Sequence, residues 1–339
     1  MITQADVAKV AGVSQSAVSK ALLGGGGKTT KVSEKVAEHI RNVAESLGYR
    51  PNLLAQRLVR STQNVIGIII DSCCCGLYTE IMNEISTLAT QAGYRLQIGL
   101  VHDSLESIET YVNDFLGYDI QNIICFAHYY DFGDQVPPLF AKFRNPVFIS
   151  KPMTTEKFAF VTPDYYANFY EAADYLLNQG HRKIVYAKLA YNTYDAQMRA
   201  QALRDVYAKH HLPFDEEQIF SKQLDLADTP EFVSQLLDNI LPMHPDALIV
   251  GGQSSINLCI RQLKERGLSV PEDISIIALD CWPGHAYCIP YVTTINNEFM
   301  EIAQKAFRIL IGNIGKKRRS TKEVFVRGHL DVGETTAKR

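Results

Sequence analysis

The chain has 339 residues, 46% of them hydrophobic and 21% charged, the balance of a soluble globular protein of two or three domains. No run of about 18 apolar residues occurs, which excludes a membrane-spanning helix, and the N-terminus lacks the basic and apolar stretches of a secretory signal, so a cytoplasmic location is expected. The formal net charge of −3 hides an asymmetry: residues 1–62 hold nine Lys+Arg and four Asp+Glu (+5), the remainder 25 and 33 (−8). A small basic head on a larger acidic body points to a polyanion partner for the head only.

The first fifty residues read as helices without a strand. Thr3 caps a helix carrying Val7, Ala8 and Val10. Gly12 sits at a tight turn, where a positive φ costs glycine least. Ser14 caps a second helix to about Leu22, and "GGGGKTT" (Gly24–Thr30) reads as a flexible turn. No strand precedes that loop, so it lacks the context of a phosphate-binding P-loop. A third helix starts near Val32 and Ser33, with Val36, Ile40, Val43, Ala44 and Leu47 at helical spacing. It ends at Gly48, and Pro51 stops any continuation. In "NLLAQRLVRS" (Asn52–Ser61) the residues Leu54, Ala55, Leu58 and Val59 form one face of a helix too short to stand without a partner.

From Val65 the pattern changes to apolar strands alternating with helices. The strands are "VIGIIID", "RLQIGLV", "NIICFA", "PVFIS", "KIVYAKL", "ALIVGG" and "ISIIALD"; helices include Glu80–Ala92, Tyr166–Gln179, Ala196–His210 and Ser254–Arg266. Such runs mean parallel sheets covered on both faces. About seven units exceed one sheet's usual size, so the expectation is two doubly wound α/β subdomains, dividing near Thr162 and again near Tyr291. The seven cysteines (three of them consecutive, Cys73–Cys75) contain no CxxC pair. Free thiols are expected, with no metal site and no cofactor.

The head carries a helix-turn-helix pattern. Small Ala8 lets two helices approach, and Val13 and Val18 pack inward. That leaves Ser14, Gln15, Ser16, Ser19 and Lys20 on the second helix's outer face. Short polar side chains suit a helix that must enter a major groove about 12 Å wide.

"DVAKVAGVSQSAVSKAL" followed by "KVSEKVAEHIRNVAESLGYRPNLLAQRL" resembles the head and hinge of the LacI/GalR family of transcriptional regulators. "LNQGHRKIVYA", "RGLSVPEDISIIALD" and "IPYVTTI" are similar to segments of that family's effector-binding core, a fold shared with periplasmic sugar-binding proteins. The resemblance implies a helix-turn-helix domain over 1–50, a hinge over 51–62, and a core over 63–339. Within the core it implies an N-subdomain of about 63–162 and 292–325 and a C-subdomain of about 163–291 with the C-terminal segment. It implies that Gln15 and Ser16 read major-groove bases, with Lys20 a further candidate. Thr3, Ser14, Ser19 and Asn52 become phosphate contacts. Leu58 matches the leucine that wedges into the minor groove, with Ala55 and Gln56 beside it.

The same resemblance places an effector between the subdomains, at strand ends. The candidates are Asp71 (with Ser72 beside it), Tyr78, Asp164, Arg199 at the family's usual arginine position, Gln253, Asp280 and Trp282, the one tryptophan. Carboxylates and an arginine can divide the hydroxyls of a sugar, and an aromatic face can stack on its ring. Three stretches depart from the family pattern: "GGQ" at 251–253, "DYYAN" after Pro163, and the "CCCG" loop. A sugar or sugar phosphate is the first expectation for the effector, and a nucleoside or purine acting as corepressor the alternative.

The implied protein is a homodimer on a near-palindromic operator, repression being the family's common mode. No heptad tail follows "FVRGHLDVG", so a dimer is expected rather than a tetramer. A transport binding protein is opposed by the missing signal and the basic head. A Rossmann-type enzyme is opposed by the lack of G-x-G-x-x-G after an early strand and of a nucleophile–base pair.

Overall fold

A computed structural model describes residues 2–23, 32–50, 64–71, 75–188, 193–221, 230–251, 253–280 and 289–339. The expected turn at Gly24–Thr30, the hinge residues Asn52, Ala55, Gln56 and Leu58, and Ser72 and Trp282 lie outside them. The chain divides into two compact units, Met1–Gln63 and Asn64–Arg339.

Among its described residues the first unit holds three helices, α1 (Gln4–Ala11), α2 (Gln15–Leu23) and α3 (Glu34–Ser46). Thr3 starts α1 in a capping box: its hydroxyl accepts from the Asp6 amide, and the Asp6 carboxylate accepts from the Thr3 amide at 2.8 Å. Gly12 closes α1 at φ 65°, a left-handed conformation that most side chains resist. The Ser14 hydroxyl then accepts from the Ala17 amide at 3.2 Å and starts α2. Val7, Ala8, Ala11, Val18, Ile40 and Ala44 close a small core, with Val13 packed at its edge. These contacts set the angle between α1 and α2.

The second unit contains two six-stranded sheets. The first uses β1 (Val65–Asp71), β2 (Arg95–Val101), β3 (Asn122–Phe126), β4 (Asn145–Ile149), β5 (Ala159–Pro163) and β11 (Glu323–Val326), ordered β11-β5-β4-β3-β1-β2 and parallel throughout. The second uses β6 (Ile184–Ala187), β7 (Ile219–Phe220), β8 (Ala247–Val250), β9 (Ser275–Ala278), β10 (Thr293–Asn296) and β12 (His329–Asp331), ordered β12-β10-β9-β8-β6-β7. All its pairings are parallel except β10 with β12.

Helices cover both faces of each sheet, because strands such as β1 are buried on both sides. On the first sheet, α4 (Cys75–Gln91) and α11 (Phe299–Asn313) cover one face, while α5 (Leu105–Gly117) and the short α6 (Val136–Phe140) cover the other. On the second, α7 (Tyr165–Asn178) and α8 (Tyr194–Lys209) lie opposite α9 (Pro230–Ile240) and α10 (Gln253–Glu265).

The chain passes between the sheets three times, after β5, after β10 and after β11. The return expected at about 292 falls later, because β10 pairs with β9 and the chain reaches the first sheet only with α11. Sequence periodicity misses β5, β7, β10, β11 and β12. β7 and β12 have only two and three residues, and threonine, asparagine, proline or glutamate interrupts the apolar run in β5, β10 and β11.

Candidate functional site

In the first unit, Ser14, Gln15 and Ser16 are exposed at the start of α2, and Ser19 and Lys20 are half-buried further along it. Gln15 is exposed on a helix whose inner residue, Val18, is completely buried. Thr3 is exposed as well. The resulting surface is narrow, polar and almost free of bulky groups, as a groove-reading helix requires.

In the second unit, Arg199 and Asp280 meet, although 81 residues separate them. Arg199 lies on α8 and is 6% exposed. Its Nη2 donates to both Asp280 carboxylate oxygens at 3.0 Å, and its Nη1 donates to Asp195 Oδ2 at 2.8 Å. Burial opposes a charge here, but the Asp280 and Asp195 carboxylates outweigh it and hold the guanidinium charged, well above its ordinary pKa. The guanidinium also lies over the Tyr165 ring, 4.8 Å from its centroid. Asp280 follows β9 at φ 55°, a conformation rare for a residue with a side chain, and this turns its carboxylate towards α8.

Tyr165 links this ion cluster to the first sheet. Its hydroxyl shares hydrogen bonds with Tyr129 at 2.9 Å and with Ser150 at 2.8 Å. Tyr129 stacks on His128, and His128 Nε2 donates to the Ile149 carbonyl at 2.9 Å. Burial pushes the His128 pKa down to about 4, against the pull of that hydrogen bond and of Asp195. Nearby, Lys151 Nζ lies 4.9 Å from the Tyr194 ring centroid. These groups stand at the carboxyl ends of β3, β4, β5, β6 and β9, where open α/β sheets hold ligands.

A run of buried amides leads away from the cluster. Asn297 Nδ2 donates to Asp280 Oδ1, and Asn297 Oδ1 accepts from Asn168 Nδ2 at 2.8 Å. Asn168 Oδ1 accepts in turn from the Gly328 amide at 2.9 Å. Asn297 and Gly328 lie on two of the passages between the sheets, and Asn168 near the start of α7, the helix that follows the third.

The other sequence candidates occupy separate places. Asp71 accepts from the Tyr130 hydroxyl and lies 3.4 Å from His102 Nδ1. Tyr78 sets its ring against Phe126, with centroids 4.6 Å apart. Asp164 caps α7, accepting from the Ala167 amide at 3.0 Å. Gln253 opens α10, but its side chain lies outside the described residues. Sequence reasoning misses Asp195, Tyr165, Tyr129, His128, Ser150 and Asn297. The Asp195–Arg199 pair carries a usable signal, an i,i+4 opposite-charge spacing. "HYY" (His128–Tyr130), one residue beyond β3, marks a strand end. Asn297 carries no local sign.

Residues 3–52 match "Bacterial regulatory proteins, lacI family", and residues 173–336 match "Periplasmic binding protein-like domain". The chain is 25% identical over 314 residues to the HTH-type transcriptional regulator AscG of Escherichia coli (strain K12), covering 92% of this chain and 91% of that one. It is 26% identical over 337 residues to the HTH-type transcriptional repressor PurR of Yersinia pestis (strain Pestoides F), covering 97% and 95%. Among solved structures, the lac repressor dimer bound to operator and the anti-inducer ONPF has the same fold, with TM-score 0.83, 20% identity and 99% coverage of both chains. The transcriptional regulator CelR–cellobiose complex gives TM-score 0.71 at 20% identity, covering 99% of this chain and all of the other. The head of the chain, residues 3–52, thus matches the LacI family of bacterial regulatory proteins, its core carries a periplasmic-binding-protein-like domain, and over nearly its whole length the chain is similar to helix-turn-helix transcriptional regulators.

Proposed function

We propose that this regulator is a repressor whose grip on a near-palindromic operator is set by a sugar or sugar phosphate at Arg199 and Asp280. The observation that carries the DNA side is the exposed start of α2, with Gln15 and Ser16 held outward by the buried Val18. Gln15, Ser16 and Lys20 read base edges, while Thr3, Ser14, Ser19 and Asn52 meet phosphates. Leu58, flanked by Ala55 and Gln56, wedges into the minor groove. Two copies related by a two-fold axis match two half-sites in the cytoplasm.

On the effector side, two carboxylates around one buried guanidinium suit ring hydroxyls, which can donate to Asp280 and Asp195 and accept from Arg199. Tyr165 supplies an aromatic face, and Lys151 is a cation that a phosphate would meet. Asp71, Tyr78, Asp164, Gln253 and Trp282 complete the set of candidate contacts. Solved proteins of the same fold carry cellobiose, ribose and D-xylulofuranose. Ligand binding across the three passages shifts one sheet against the other. A coupling of about 1–3 kcal/mol changes operator affinity by roughly 5–150-fold.

Two measurements test this. A mobility-shift titration against a library of inverted repeats should select one site, and Gln15→Ala should weaken the selection. A thermal-shift screen of sugars, sugar phosphates and nucleosides should then identify the effector, a ligand at 100 times its Kd adding about 2.7 kcal/mol. Stabilisation by nucleosides alone would remove the sugar reading.

A further inference from the structure

The body of the protein is acidic, yet one edge of its first sheet is not. In a parallel sheet every strand starts at the same edge, so the segments before β4 and before β11 both lie there, one on each side of the start of β5. The turn 141–144 reads Ala-Lys-Phe-Arg, and 316–322 reads Lys-Lys-Arg-Arg-Ser-Thr-Lys. These eleven residues hold seven cations and no carboxylate. Arg319 joins the two segments, its Nη2 donating to the Ala141 and Phe143 carbonyls at 2.7 Å. The other six, Lys142, Arg144, Lys316, Lys317, Arg318 and Lys322, are all exposed. Among the described residues none of these six forms an ion pair.

Folding has therefore gathered uncompensated charge on a body whose total is −8. Such a patch raises the local concentration of anions and attracts a polyanion. Its place says which one. The Arg199 site lies at the opposite, carboxyl edge of the strands. The second unit begins at the cationic edge, where Asn64 precedes β1 and its carbonyl accepts from the Arg95 amide at 2.8 Å. In the strand order, β4 is two strands from β1 and β11 is four, or about 10 and 19 Å at the usual strand spacing of about 4.8 Å. Cations spread along that length match the backbone of a duplex better than one isolated phosphate.

We infer that the edge formed by 141–144 and 316–322 binds the phosphate backbone of duplex DNA flanking the site read by the head. This inference rests on the DNA-binding reading above and adds a second, sequence-independent contact from the core. The binding energy there comes from counterion release, so it appears in the salt dependence.

The test uses the full chain and a fluorescein-labelled 40-base-pair duplex of mixed sequence, titrated by anisotropy from low to moderate KCl. Neutralising three edge cations (K316Q/K317Q/R318Q) should weaken binding roughly 10- to 100-fold at low salt and reduce the log K against log [salt] slope by about 2–3. The pair K142Q/R144Q, on the neighbouring turn, should reduce it by about 1–2. A control with the same charge change on exposed lysines elsewhere (K183Q/K264Q/K338Q) should match the unaltered protein. Equal slopes for both edge variants and the unaltered protein overturn the inference, as does an equal loss in the control, which would make net charge the cause. Failure of the unaltered protein to bind any duplex would instead overturn the DNA-binding reading itself. Circular dichroism melts of each variant separate lost contacts from lost folding.

Discussion

Asn168 donates from Nδ2 to Asn297 Oδ1 at 2.8 Å, across 129 residues of sequence. Asn297 sits on the passage after β10 and Asn168 near the start of α7, and each has a further partner: the Gly328 amide for Asn168, the Asp280 carboxylate for Asn297. The carboxylate that holds Arg199 is thereby linked through two amides to the start of α7 and to the backbone of the passage after β11. Both side chains are almost wholly buried, 2% and 1% exposed, so water cannot replace a lost partner.

Asn297→Asp should break this tie at its most charged point. The substitution keeps the volume but replaces a donor to Asp280 with a second acceptor. Effector affinity should fall about tenfold or more, measured by titration of the sugar that the screen identifies. Unchanged affinity would show that Asp280 is held by Arg199 alone.

Asn168→Ala should leave the Gly328 amide buried without an acceptor, costing about 1–3 kcal/mol in urea unfolding. Gly328→Ala should destabilise through a different cause. A Cβ there would run into the Asn296 carbonyl and lie 2.8 Å from Asn168 Nδ2. Both substitutions should also shrink the effector's influence on DNA binding, because they act at the passages.

Arg199→Met should cost about 3–5 kcal/mol of stability, since it strands the Asp195 and Asp280 carboxylates that the guanidinium now neutralises. The thermal shift with effector should vanish. A variant that melts lower but still responds to the same ligand at the same concentration would exclude Arg199 from the binding site.

Stability should fall as the pH is lowered from about 6.5 to about 4. His128 has its folded pKa lowered to about 4, whereas an exposed histidine titrates near 6.5. Between those values the unfolded chain binds the proton and the folded chain does not, so acid favours unfolding. The slope is about 1.4 kcal/mol per pH unit, for a total on the order of 3 kcal/mol. Urea unfolding at pH 7, 5.5 and 4.5 should show the decline, and His128→Gln should flatten it.

Gln15→Ala should lower affinity for the selected operator by roughly 5–150-fold, the range of about 1–3 kcal/mol for a base-edge contact. Affinity for mixed-sequence DNA should hardly change, because those contacts go to phosphates. An equal loss on both duplexes would mean that Gln15 touches the backbone.

Much of the architecture was legible in the sequence because it rests on local chemistry. Thr3, Gly12 and Ser14 announce the ends of α1 and α2 through caps and a left-handed turn. Long, doubly buried strands such as β1 announce themselves by composition, and so do the helices between them. The strands without a continuous apolar run, such as β10 and β11, were not legible. Asp280 and Arg199 were singled out individually through the family resemblance.

The sequence by itself determined the helical head, the parallel α/β body and the charge difference between them, since capping, hydrophobic periodicity and charge are properties of neighbouring residues. The tertiary structure alone decided that Asp195 and Asp280 share one guanidinium, that Asn168 and Asn297 bridge the passages, and that 141–144 lies beside 316–322. Those groups are far apart in the chain, and what unites them is strand order, which depends on how whole helices and strands bury their apolar faces together.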